Sequence, residues 1–169
     1  MAEILRVDHA GELGAVHIYR GQRAVLNRAP GKDRIAYHLQ ETEAQESEHL
    51  AAFDKLLTDR RVRPTLLAPL WRAAGFALGA GTALIGEKAV HACTEAVETV
   101  IGDHYAAQIE ELRGRDPALA QQLAKFRNDE LAHRDHAVEE GAYDAPGYPL
   151  LAAVVRAGCR AAIKLSEKL

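Results

Sequence analysis

An all-α fold is predicted by three features of the 169-residue sequence. Hydrophobic residues make up 48% of it but aromatic residues only 5%, and alanine and leucine dominate over valine and isoleucine. Unbranched side chains lose little rotamer freedom in a helix, so this mixture favours helices over sheets. Turn signals such as Ala29-Pro30-Gly31 and Asp116-Pro117 punctuate long helical stretches. Finally, one pattern of ionisable residues recurs after about 85 residues, which points to two similar halves.

Taken in order, the first helix spans about Ala2 to Arg28 and stops at Ala29-Pro30-Gly31. The second spans about Asp33 to Arg60, and the third about Glu87 to Arg113. Asp116 reads as an N-cap with Pro117 at the first helical position, so a fourth helix starts there and ends near Gly141. Asp144 to Pro149 reads as a loop, followed by a fifth helix over Leu150 to Leu169. Short turns inside the first and second pairs imply antiparallel hairpins over 2–60 and 87–141. The long apolar stretch 61–86 joins them. Two hairpins and one long crossover describe a ferritin-like four-helix bundle, here a single domain over 1–169 with an additional C-terminal helix.

Charge and cysteine content narrow the function. A net charge of −3 gives no case for nucleic acid, which calls for a strong basic excess. Cys93 and Cys159 stand alone without CxxC spacing, so a disulfide framework is not expected and a reducing, intracellular compartment is. No signal or transit segment is read ahead of Ile4.

The chemistry sits in the repeat. Glu46 and His49 are three residues apart on one helical face, and Glu130 and His133 repeat that spacing on the fourth helix. A single Glu-x-x-His is a weak signal. Here, however, the first follows Glu12 by 34 residues and the second follows Glu98 by 32. Each hairpin therefore offers a lone glutamate on its first helix and a Glu-x-x-His on its second, the donor set of di-metal carboxylate bundles. Tyr19 and Tyr105 each lie seven residues after the lone glutamate of their half, two turns along the same face. Any one of these glutamates alone would read as a solvated surface residue; six positions in order on four helices do not. Four inward carboxylates could not all stay ionised, whereas two divalent cations would neutralise them. Carboxylate with imidazole suits iron or manganese, and ligand type alone does not separate the two.

The crossover and last helix suggest where the protein works. Between Leu66 and Gly86 the only charge is Arg72. The segment is marginal in length for a membrane span, and spanning would put the two halves of the site on opposite sides. It therefore returns, either as a helix packed on the bundle or as one lying in a bilayer surface. Gly75, Gly79 and Ala83 form a stripe of small residues that permits close helix contact in either case. In the fifth helix Arg156, Arg160, Lys164 and Lys168 recur every four residues, opposite Leu151, Val154 and Val155. A basic amphipathic helix beside an apolar one reads as membrane-surface attachment, with a solvated basic face as the alternative.

Beyond these patterns the sequence resembles the demethoxyubiquinone hydroxylases of ubiquinone biosynthesis. The resemblance runs through Arg6-Val7-Asp8-His9-Ala10-Gly11-Glu12, Ile18-Tyr19-Arg20-Gly21-Gln22, Pro69-Leu70-Trp71 and Gly75-Phe76-Ala77-Leu78-Gly79-Ala80-Gly81-Thr82-Ala83. It returns at Ala96-Val97-Glu98, His104-Tyr105 and Ala157-Gly158-Cys159-Arg160, and so covers essentially the whole chain. It implies that Glu12, Glu46, His49, Glu98, Glu130 and His133 hold two iron ions. It further implies a monooxygenase that hydroxylates the quinone ring with O2 and electrons from NADH or another reductant. His104 and Tyr105 are candidates for hydrogen bonds around the ligands or for a proton and electron path. An isoprenoid quinone substrate implies a peripheral membrane protein, on the cytoplasmic face of a bacterial inner membrane or the matrix face of a mitochondrial one. A lipid-binding accessory protein would be a partner in the mitochondrial case, and homo-oligomerisation is left open. The alternative is a soluble ferritin-like ferroxidase, iron store or peroxide-reducing di-iron protein, which would share all six ligands but has no use for the apolar crossover.

Overall fold

The computed structural model describes all 169 residues and is all-helical. Six α-helices follow one another: α1 (Ala2–Leu26), α2 (Asp33–Asp59), α3 (Ala68–Ile85), α4 (Glu87–Leu112), α5 (Pro117–Glu139) and α6 (Tyr148–Lys168). A short 3-10 turn, Ala142–Asp144, precedes α6. α1 packs along α2 and α4 along α5, joined by the turns 27–32 and 113–116. The expected cap of α5 is made: Asp116 Oδ1 accepts from Leu119 N at 3.1 Å, and its other oxygen meets Arg60 Nη1 at 2.6 Å. At the far end Gly141 adopts φ 87°, the left-handed conformation that closes a helix most cheaply with glycine.

The last helix departs from expectation. It begins at Tyr148, two residues earlier than Leu150, because Pro149 sits inside the first turn where its missing N–H leaves no hydrogen bond unmade.

Two apolar clusters fill the bundle. One contains Leu5, Phe53, Tyr105, Leu112, Leu123 and Phe126, the other Ala15, Tyr19, Leu26, Ile35, Leu39 and Val90. α3 and α6 form an outer layer on this core. α3 lies so close to α1 that the backbones touch: a Cβ on Gly79 would come within 1.9 Å of Ile18 O, and one on Gly21 within 2.2 Å of Phe76 O. Only glycine permits that approach, so the small-residue stripe is an α1 contact. α6 docks on α1 and α4 through Ala152 and Val155, which meet Ile18, Cys93, Ala96 and Val97. No helix is long and apolar enough to cross a membrane.

The basic row on α6 is not uniform. Arg156 Nη2 donates to both oxygens of Glu95 at 2.7 and 2.8 Å and to Tyr148 Oη at 3.2 Å. Glu95 is buried, so Arg156 fastens α6 to α4 and is withdrawn from any surface role. Helical spacing showed the row but not the carboxylate facing one of its members. Arg160, Lys164 and Lys168 are exposed as expected.

Candidate metal centre

Six ionisable side chains occupy the bundle interior, all buried: Glu12 of α1, Glu46 and His49 of α2, Glu98 of α4, and Glu130 and His133 of α5. They reach it because the helical repeat puts Glu46 with His49, and Glu130 with His133, on inward faces of antiparallel neighbours. Their donor atoms form two overlapping groups, each within 4.8 Å. One contains Glu12, Glu46, His49 and Glu130; the other contains Glu46, Glu98, Glu130 and His133. Glu46 and Glu130 belong to both. The arrangement offers each of two ions one imidazole, one unshared carboxylate and two shared carboxylates.

Whether the residues fit a metal pair can be judged from their unmet demands. Glu46 Oε2 and Glu98 Oε2 are buried without a hydrogen-bond partner, Glu12 Oε2 has only His49 Nδ1 at 3.6 Å, and Glu46 Oε1 and Glu130 Oε2 share one donor, His133 Nδ1, at 3.1 and 3.3 Å. A buried atom left without a partner is unfavourable by about 1–3 kcal/mol, more if charged, unless something compensates it. Cations would satisfy acceptors gathered in this way, and two divalent ions match four carboxylates in charge. The donor set fits.

Protons play that part in the metal-free protein. Burial, followed by the charge of Glu130, raises Glu46 and Glu98 well above the ordinary carboxylate range. Burial raises Glu12 too, against opposing hydrogen bonds from His49 and Tyr105. Glu130 goes the other way: burial opposes its charge, but hydrogen bonds from His133 and His49 prevail and pull it to about 2. Burial likewise disfavours charge on His49 and His133. Hydrogen bonds to Glu12 and Glu130, and to Glu130 and Glu46, outweigh it and lift them to about 11 and about 10. Two imidazolium ions thus flank one carboxylate while burial favours the neutral form of the other three. Metal binding must displace these protons.

Residues around the six follow the same twofold logic. Tyr19 Oη donates to Glu98 Oε1 at 2.8 Å, and Tyr105 Oη donates to Glu12 Oε1. Each tyrosine thus serves the lone glutamate of the other half. Burial, ahead of the neighbouring carboxylates, raises both phenols well above 10, so they remain donors. His49 Nε2 lies 3.2 Å from Asp129 Oδ2, and His133 Nε2 lies 3.0 Å from Gln45 Oε1. With the outer nitrogen of each ring held this way, Nδ1 turns inward. The sequence reading missed Asp129 and Gln45. Their signal was available, since each directly precedes the glutamate of a Glu-x-x-His. Tyr19 was noted for its spacing but given no role. His104, by contrast, touches none of the six: it lies 2.8 Å from Gln108 Nε2 and 3.5 Å from buried Asp8 Oδ1.

An apolar cavity of about 340 Å³ is lined by Gly11 and Val97, the chain neighbours of Glu12 and Glu98, by Trp71 and Leu78 of α3 and by Val154 and Ile163 of α6, and by none of the six.

Fold and site together define a class of protein: a helical bundle whose interior carboxylates and imidazoles form two overlapping donor groups. Within that class the chain belongs to the family of the ubiquinone biosynthesis protein COQ7, whose model matches residues 1–166. It is 52% identical to a 3-demethoxyubiquinol 3-hydroxylase of Rhodospirillum rubrum over 98% of this chain and 76% of that one. It is 49% identical to the human NADPH-dependent 3-demethoxyubiquinone 3-hydroxylase, mitochondrial, over the same shares. With the 5-demethoxyubiquinone hydroxylase, mitochondrial, of Saccharomyces cerevisiae it shares 42% identity over 98% of this chain and 77% of that one.

Proposed function

We propose that this chain is an O2-dependent di-iron hydroxylase that adds a hydroxyl group to the ring of a demethoxyubiquinone-type intermediate at a membrane surface. The observation that carries the reading is an apolar cavity in the same bundle as the carboxylate centre: its size and lining suit a hydrophobic ring, and Gly11 and Val97, the chain neighbours of Glu12 and Glu98, help to line it. A ferroxidase or iron store has no need of such a space. The family and the activities named for its relatives supply the substrate class and reaction.

Glu12, Glu46, His49, Glu98, Glu130 and His133 would hold the two irons, Glu46 and Glu130 being common to both donor groups. The chemistry an iron pair supplies there is activation of O2 with two electrons from NADH or NADPH, one oxygen atom entering the ring and the other leaving as water. Tyr19 and Tyr105 hold Glu98 and Glu12 at one oxygen each and leave the second free to bind. Asp129 and Gln45 fix the rings of His49 and His133. The apolar cavity wall holds the quinone ring close and excludes water from it.

The outer layer supplies the membrane contact. Leu84 and Leu150 are 76% and 73% exposed, and Leu70 and Val154 are exposed with them on α3 and α6. Apolar side chains arrayed this way suit the headgroup boundary of a bilayer, and Arg160, Lys164 and Lys168 would each add about 1 kcal/mol near anionic lipid. The quinone would enter between α3 and α6. The location would be the cytoplasmic face of a bacterial inner membrane or the matrix face of a mitochondrial one.

The test is Ala162→Trp, which fills the cavity from α6 without touching a candidate ligand. The variant should keep its iron and lose hydroxylation of demethoxyubiquinone in vesicles supplied with O2 and a reductant. Full hydroxylation with the cavity blocked, or iron oxidation as the sole activity of the wild type, would overturn the reading.

A further inference from the structure

The apolar cavity between α1, α3, α4 and α6 is polar at one end only. Of the side chains that line it, two carry a nitrogen or an oxygen: Trp71 of α3 and Ser166 of α6. They meet each other. Trp71 Nε1 donates to Ser166 Oγ at 3.0 Å, the single hydrogen bond between these two helices. Ser166 is 1% exposed, so bulk water does not reach its hydroxyl.

That hydroxyl accepts from Trp71 and donates to no protein atom. Ser47 and Thr82, by contrast, donate to the carbonyl one turn earlier, at Glu43 and Leu78. The Ser166 proton cannot serve Trp71 Nε1, itself a donor, and is left to the cavity that Ser166 lines. A buried O–H without an acceptor is unfavourable, so the site is suited to a molecule that brings one.

The polar end is also the fixed end. Leu66 N donates to Leu169 O at 3.2 Å, Arg63 Nη1 to Leu169 O at 2.7 Å and Arg6 Nη1 to Glu167 O at 3.1 Å, which together hold the close of α6. From Ser166 the cavity runs back along α6 to Val155, about 16 Å at the rise of an α-helix. Around Val155 the walls are Ile18, Leu78 and Val97, all apolar, and no hydrogen bond ties α3 to α6 there. A ring that carries oxygens suits the Ser166 end, and an apolar chain suits the other.

We propose that Ser166, held by the Trp71 indole, donates a hydrogen bond to a ring oxygen of the quinone and so sets which way round the substrate lies. The ring then sits toward the close of α6 and the tail runs toward Leu78 and Val155. The proposal rests on the quinone reading of the cavity. A polar donor in an otherwise apolar pocket discriminates by what it leaves unpaired: a ring without oxygens would strand the hydroxyl, while the walls hold both rings alike.

Trp71 is the one tryptophan of the chain, so its fluorescence reports on this cavity directly. A short-tailed demethoxyubiquinone analogue, titrated into the full-length protein with no reductant added, should quench it saturably. Ser166→Ala should bind the quinone about tenfold more weakly. An alkylbenzene without ring oxygens, followed by its competition with the quinone, should bind Ser166→Ala as it binds the wild type, which also shows that the cavity is formed. Ser166→Thr keeps the hydroxyl and should bind the quinone as the wild type does. Equal quinone affinity in Ser166→Ala and wild type, an equal loss for both ligands, or a loss in Ser166→Thr matching that in Ser166→Ala would overturn the proposal and leave the quinone reading standing. A wild type without saturable quenching would sink the quinone reading, and the role of Ser166 with it.

Discussion

Two regions of this molecule reverse the usual placement of side chains, in opposite directions. Between α1, α2, α4 and α5, four glutamates and two histidines are buried where apolar groups belong. On the outward faces of α3 and α6, leucine and valine are exposed where polar groups belong. Both inversions are unfavourable for an isolated chain in water, but they are built differently. Inside, four of the six ionisable groups have a residue outside the set that fixes them: Tyr19 and Tyr105 hold two carboxylates, Asp129 and Gln45 hold two rings. Outside, Leu84 and Leu150 have no such partner, and the layer is secured from beneath by glycine contacts with α1 and by Arg156 on Glu95. The inner region is built for fixed geometry, the outer for a surface free to meet something apolar.

That contrast is sharpest along α6, where two arginines one turn apart have different environments. Arg156→Glu would put a carboxylate against buried Glu95, and breaking such a pair costs about 3–5 kcal/mol. Arg160→Glu lies on the exposed side and should change stability by under about 0.5 kcal/mol while weakening attachment to anionic vesicles. Urea unfolding of the two variants measures the difference; equal midpoints would erase the distinction between fastening and docking faces.

A smaller effect is expected at the residues that hold the rings. Asp129→Ala and Gln45→Ala remove no candidate ligand but free the outer nitrogen of His49 and His133. Iron affinity should fall about 10–100-fold in each. Competition against a chelator would show it, and unchanged affinity in both would mean the two residues only shape the surface.

The least change in stability should come from the outermost residues. Leu84→Ser and Leu150→Ser expose almost no new surface, so the unfolding midpoint should hardly move. Sedimentation with vesicles should nevertheless drop, and hydroxylation of a long-tailed quinone should drop more than that of a short analogue. Undiminished sedimentation would place the docking face elsewhere.

How much of this was legible in the sequence differs by region for the same physical reason. Residues related by helical periodicity could be read: Glu46 with His49, Glu130 with His133, Tyr19 with Glu12, Tyr105 with Glu98. Contacts between helices could not. The tyrosines share a face with their own glutamates, as spacing predicts, yet bond those of the opposite half. Arg156 fitted its basic row perfectly in projection, and only the packing of α6 on α4 revealed Glu95 beneath it. The stripe of Gly75 and Gly79 allowed two readings because its complement, Gly21 and the α1 backbone, lies more than fifty residues away. Local rules gave the halves of each contact, and packing decided which halves met.

If the buried carboxylates and imidazoles hold a metal pair, their charge is what holds it. Iron retained after desalting, measured in the wild type and in Glu130→Gln together with the iron-dependent rise in thermal midpoint, tests it most directly. Glutamine keeps the shape but removes the charge of a carboxylate common to both donor groups. The wild-type chain should retain two irons with a clear rise in midpoint, and the variant should show neither. A wild type that hydroxylates without bound iron, or a variant that retains both ions and the full rise, would contradict it.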